Sequence, residues 1–137
     1  MYTILLLTED SIHEHDAVRI SQLHDDDEVE VHVLVPADMK NRSDSAQSAD
    51  EDAMHAVNAT IDRLADAGLA ARGAVTAEDP VPAAVEAARH FDVDEVVVVT
   101  PPHPVREALH RDWSSRLRDD LQLPLLHFVT GTDQVVR

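Results

Sequence analysis

Residues 79–100 read DPVPAAVEAARHFDVDEVVVVT, and the fold follows from how this stretch divides. Asp79 can cap a helix, Pro80 suits a first helical position, and Val81, Ala84, Val85, Ala88 and Phe91 recur on one helical face. This spacing predicts an amphipathic helix. After Asp92 and Asp94 come Val96, Val97, Val98 and Val99, β-branched and without polar alternation, as a strand covered on both faces requires. The run reads as a central parallel strand. Pro101, Pro102 and Pro104 then forbid regular continuation, so the chain leaves the strand's carboxyl end as an irregular loop. Ligands of open α/β sheets bind beside such ends. The stretch therefore indicates both an architecture and a place for a site.

The flanking segments repeat the pattern. Residues 2–8 hold Ile4, Leu5, Leu6 and Leu7 without a break, a second doubly covered strand that ends at Thr8, Glu9 and Asp10. Ser11 and Glu14 have the spacing of a capping box, opening a short helix with Ile12, Ala17, Val18 and Leu23 as its apolar side. Val29, Val31, Val33 and Val35 alternate with Glu30, His32 and Leu34, a third strand with one less apolar face, stopped by Pro36. Residues 37–49 are small, polar or charged, and read as a long loop: a lid, or more commonly a tolerated surface insertion. Ser48 and Glu51 form another capping box, before a stripe of Ala53, Met54, Val57, Ile61, Leu64 and Ala65 that runs to Gly68. Residues 69–77, with Gly73 inside, suit an edge strand.

Beyond the prolines, Val105, Ala108, Leu109, Trp113, Leu117 and Leu121 predict a helix beginning between Val105 and Trp113 and broken at Pro124. Residues 125–130 form a last short strand before Gly131. Five strands alternating with four helices imply a doubly wound parallel sheet in a single α/β domain, a size that 137 residues suit.

Composition narrows the function. Acidic residues number 27 against 11 basic ones, a formal net charge of −16, and Lys40 is the only lysine. Nucleic acid and anionic membranes are disfavoured as partners, because binding either relies on Lys and Arg displacing counterions. The acidic clusters at residues 25–28, 50–52 and 119–120 read as solvated surface, relieved by salt. A salt-rich cytoplasm is the expected setting. No cysteine is present, which removes disulfides, thiolate metal sites and cysteine nucleophiles. The first apolar stretch is only strand length, so no membrane segment is expected.

These local words, taken in order, resemble the universal stress protein family over nearly the whole chain. The similar blocks are ILLLTEDS at residues 4–11, VHVLVPA at 31–37, the long helix to Gly68, and Ala77 to Pro80 followed by an alanine-rich helix, Asp94 and the valine strand. The resemblance implies strand order 3-2-1-4-5 and a homodimer joined through the last strand at Leu125, His127, Phe128 and Val129. It also implies one of two groups, nucleotide-binding or not. In the binding group an aspartate ends the first strand near adenine and ribose, and a Gly-x2-Gly-x9-Gly-Ser/Thr stretch follows the fourth strand. Here Glu9 takes the place of that aspartate, and the phosphate stretch is missing.

The absence has a physical meaning. A backbone cradle for phosphate needs glycine's freedom at positive φ, yet Gly68, Gly73 and Gly131 are the only glycines and none lies between Thr100 and Trp113. The expected crevice is therefore degenerate, lined by Thr8, Glu9, Val35 and Thr100, with Ser114 and Ser115 as hydroxyls at a helix start or simply as caps facing solvent. The expectation is a noncatalytic stress or signalling module without a cofactor, working through a protein partner that the sequence leaves unknown. The alternative is a nucleotide or small-ligand binder that takes ATP or AMP weakly.

Other constellations carry less. His13 and His15 beside Glu9, Asp10 and Asp16 suggest a metal site, but residues two apart on a helix do not share a face, and no metal is expected. The acidic pocket of phosphorylated receiver domains needs a lysine after the last strand, and Lys40 lies in a different loop. His103, His110 and His127 have no Ser or Cys partner at a recognisable spacing, so His127 reads as a packing or interface residue.

Overall fold

The computed structural model describes residues 2–24, 28–37, 46–76, 79–100 and 107–131. Along them run β1 (Tyr2–Thr8), α1 (Glu14–Gln22), β2 (Val29–Pro36), α2 (Ala46–Asp66), β3 (Ala70–Thr76), α3 (Pro80–His90), β4 (Glu95–Thr100), α4 (Glu107–Leu121) and β5 (Leu125–Val129). The strands form one parallel sheet in the order β3-β2-β1-β4-β5, as the alternation of elements and the family resemblance imply.

Two cores explain the unbroken apolar runs. Ile4, Leu6, Val31, Val33, Val97 and Val99 pack with α1 and α2 on one face of the sheet. Leu5, Leu7, Val96 and Val98 pack with α3 and α4 on the other. Consecutive residues of β1 and β4 thus enter different cores, which is why residues 4–7 and 96–99 are apolar without alternation. β3, at the sheet's edge, is largely exposed, in keeping with its weak pattern.

The helix of the opening stretch forms as expected. Asp79 Oδ1 accepts the Val81 N–H at 3.1 Å, Pro80 is the first helical residue, and Val81, Ala84 and Ala88 are buried. Phe91 departs from the expected stripe. It caps the carboxyl end, is 40% exposed, and stacks on His32 with ring centroids 4.0 Å apart.

The other helix starts shift. α1 begins after His13 rather than at a Ser11 cap, because Asp16 in its first turn accepts the His13 N–H at 2.9 Å. That register buries Ala17 and Ile20 and leaves Val18 exposed. α2 begins at Ala46, so Ser48 is an interior residue and the expected loop is shorter at its carboxyl end. The remainder, residues 38–45, where the lid idea falls, lies outside the described residues. Ala53, Ala56, Val57, Thr60 and Leu64 form the buried stripe of α2, while Met54 is exposed. The helix ends at Asp66, and two residues on Gly68 has a φ of +89°, the left-handed conformation glycine adopts freely. α4 starts at Glu107, inside the expected window, which puts Ser114 and Ser115 in its middle and not at a helix start. Among the described residues, no helix is long and apolar enough to cross a membrane.

Candidate ligand crevice at the carboxyl ends of β1 and β4

Strand order reverses direction between β1 and β4: the chain winds from β1 towards β3 on one side and from β4 to β5 on the other. Crevices of doubly wound sheets lie at this switch point. Thr8 stands beside Val99, and Thr100 beside Val129, so β1, β4 and β5 end almost level.

On the β1 side, Thr8 is buried and its Oγ1 donates to the Asp10 carbonyl at 2.6 Å. Glu9, which follows it, is half-buried. The next main-chain donors are engaged within the chain itself. Ser11 N–H donates to Asp10 Oδ1 at 2.7 Å, Ile12 N–H to Thr60 Oγ1 of α2 at 3.3 Å, and His13 N–H to Asp16 Oδ2. These three amides are therefore not free to converge on a phosphate.

On the β4 side the two hydroxyls expected at the crevice meet at a histidine instead. Thr100 Oγ1 lies 2.8 Å from His127 Nε2, and Ser114 Oγ lies 3.2 Å from His127 Nδ1. All three residues are buried. Each hydroxyl can donate or accept, so the pair can match the two ring nitrogens whichever of them carries the proton. His127 is thus a packing histidine with a serine partner that sequence spacing had not revealed. Ser115, by contrast, is exposed. Val35 lies in the core on the α1 and α2 face and does not join the polar groups. Residues 101–106, with the three prolines, lie outside the described residues.

Sequence reasoning weighed Asp16 only as a metal ligand and missed both its link to Gly131 and the turn after β5. Asp16 is fully buried; besides the His13 amide it accepts the Gly131 N–H through Oδ1 at 2.9 Å. Thr130 donates to the last carbonyl of β4, that of Thr100, through both N–H at 2.9 Å and Oγ1 at 3.1 Å. The only available signals were an acidic residue three positions after a cap and a glycine just past a strand, both common for other reasons.

Two further clusters lie away from the crevice. His24 Nε2 meets Glu95 Oε1 at 3.2 Å near the amino end of β4, with Tyr2 against the His24 ring. On β2, His32 lies beside Glu30 under Phe91; burial holds its pKa below 6.5, Glu30 opposes that shift and Arg72 adds to it. His13 precedes α1 and His15 lies in its first turn. Among the described residues, no three His, Asp or Glu side chains form a group that could hold a metal ion.

No protein-family model matches the sequence, and no curated protein does. Solved structures match closely in shape. A universal stress protein from Archaeoglobus fulgidus in complex with dAMP superimposes with a TM-score of 0.65 at 11% identity, covering 95% of this chain and 98% of that one. The fold is that of the universal stress proteins. A member of the universal stress protein family from Burkholderia pseudomallei gives a TM-score of 0.59 at 18% identity, over 92% of this chain and 95% of that one. A universal stress protein family protein from Arabidopsis thaliana with AMP bound gives 0.61 at 10% identity, over 96% and 94%. At such identities the likeness establishes the universal stress protein fold, and function has to be argued from this chain's own residues.

Proposed function

We propose that this protein is a universal stress protein that does not retain ATP, a noncatalytic stress-response or signalling module acting through a protein partner. The observation that carries this reading is the commitment of the Ser11, Ile12 and His13 amides to Asp10, Thr60 and Asp16. The sequence supports it from the other side of the crevice, with three prolines and no glycine where a phosphate cradle would be needed. By the family resemblance, the one polar contact expected for a ribose hydroxyl is with Glu9. A charge-assisted hydrogen bond of that kind contributes about 1.5–3 kcal/mol, whereas micromolar affinity needs roughly 8 kcal/mol. Isothermal titration with magnesium and ATP in molar potassium chloride should show no saturable heat. Micromolar binding would overturn the reading.

A second reading, a crevice that takes AMP, is favoured by the two matching structures with AMP and dAMP bound. It is distinguished by the same titration with AMP in place of ATP. We further propose a homodimer through the outer edge of β5 and a salt-rich working environment, the latter supported by the net charge of −16. The dimer would pair main chain and not the side chains of His127, Phe128 and Val129, which are buried within the protomer. Arg19 lies 4.0 Å over the Phe128 ring, so Phe128→Asp would break the fold before it tested an interface. Light scattering of the wild type in molar salt is the direct test, and a monomer at high concentration would refute the dimer.

A further inference from the structure

The turn after β5 does more than end the sheet. Thr130 covers the carboxyl end of β4 by donating twice to the Thr100 carbonyl. One residue on, Gly131 reaches α1, the helix that follows β1, and donates its N–H to Asp16. The Thr130 and Gly131 pair therefore ties the carboxyl end of β4 to α1, the helix that leads away from β1.

Asp16 is built into this tie. It is fully buried, one carboxylate oxygen takes the Gly131 amide, and the other takes the His13 amide at the start of α1. The two donors come from segments 115 residues apart in one case and three in the other. Gly131 has a φ of +71°, and a Cβ there would stand 2.8 Å from His13 Nδ1. Only glycine gives both the conformation and the close approach. At the ends of the two strands that this turn and α1 adjoin, Thr8 of β1 and Val99 of β4 are neighbours and both are buried.

We propose that Thr130 and Gly131 form a strap across the crevice, latched to α1 by Asp16, whose release is the local transition that exposes the ends of β1 and β4. The proposal takes the crevice's location from the reading above and does not depend on whether any nucleotide binds. Local openings of this sort occur below the free energy of global unfolding, and a latch made of two main-chain hydrogen bonds to one carboxylate is the element that sets their frequency.

The absence of cysteine makes the test direct. A single Thr8→Cys reports on the crevice, and a single Val97→Cys reports on the core, each labelled with iodoacetamide under native conditions in molar potassium chloride. Asp16→Asn keeps the shape of the side chain but turns one acceptor into a donor facing an N–H. It should speed labelling at Thr8→Cys by about tenfold or more and leave Val97→Cys unchanged. Gly131→Ala, which pushes the turn off His13, should do the same and serves if Asp16→Asn does not fold. Unchanged labelling at Thr8→Cys in a folded variant would overturn the strap. Equal acceleration at both cysteines would also overturn it, by showing that Asp16 supports only global stability.

Discussion

Gly73 provides a sharp test of how α2 is seated on the sheet. It lies inside β3, and among the described residues the positive-φ glycines are Gly68 and Gly131, so backbone freedom does not explain it. Space does. A Cβ at Gly73 would meet Val57 Cγ1 at 2.7 Å and both Val33 Cβ and the Val33 carbonyl at 3.0 Å. Val57 is buried on α2 and, being β-branched, has little rotamer freedom in a helix; Val33 belongs to the neighbouring strand. Without a clash, Gly→Ala in a strand would stabilise by about 0.4–1 kcal/mol through the unfolded chain. Overpacking of this kind costs about 1–3 kcal/mol, so Gly73→Ala should be destabilising by about 1–2 kcal/mol net. For a domain of this size that lowers the melting temperature by roughly 3–8 °C. Circular dichroism melts in molar potassium chloride would measure it. Val57→Ala removes the nearest obstacle but not the Val33 contacts, so the double variant should recover about 1 kcal/mol of the loss by a double-mutant cycle. A Gly73→Ala protein as stable as the wild type, or a cycle with no coupling, would refute the argument.

Three further outcomes follow from charge and capping. With a net charge of −16, the melting temperature should rise from low salt to molar potassium chloride as the Debye length shrinks from about 10 Å to about 3 Å; a flat or falling trend would count against it. His32 has a folded pKa lowered from 6.5 chiefly by burial, so below that value the unfolded state binds the extra proton. Its contribution is complete above about pH 6.5 and is lost as pH falls through the folded value, and His32→Phe should flatten that part of the denaturation profile, whereas an unchanged slope would show that His32 is not responsible. Asp79→Ala should cost about 1 kcal/mol in urea denaturation by removing the acceptor for Val81 N–H, and Asp79→Ser should recover most of it; an effect below about 0.3 kcal/mol would mean the cap is replaced by water.

The sequence by itself determined the order and kind of the elements and the two-faced sheet. The runs at Ile4 to Leu7 and Val96 to Val99 read as strands covered on both sides, and the structure places them in β1 and β4 between two cores. Asp79 and Pro80 marked the start of α3 because a cap acts within one turn of chain. Capping was less legible for α1 and α2. Ser11 and Ser48 fit a capping box as well as any serine does, but burial of Ile20, Ala56 and Thr60 and the Asp16 contact decided the registers. Of the expected crevice residues, Thr8, Glu9 and Thr100 fall at strand ends by periodicity alone. Tertiary structure alone turned Thr100 and Ser114 towards His127, sank Val35 into the core, and joined Asp16 to Gly131 across 115 residues. The physical reason is range. Hydrophobic periodicity and capping are written in neighbouring residues, whereas a directional hydrogen bond between distant segments depends on where the folded backbone carries them and leaves no spacing to read.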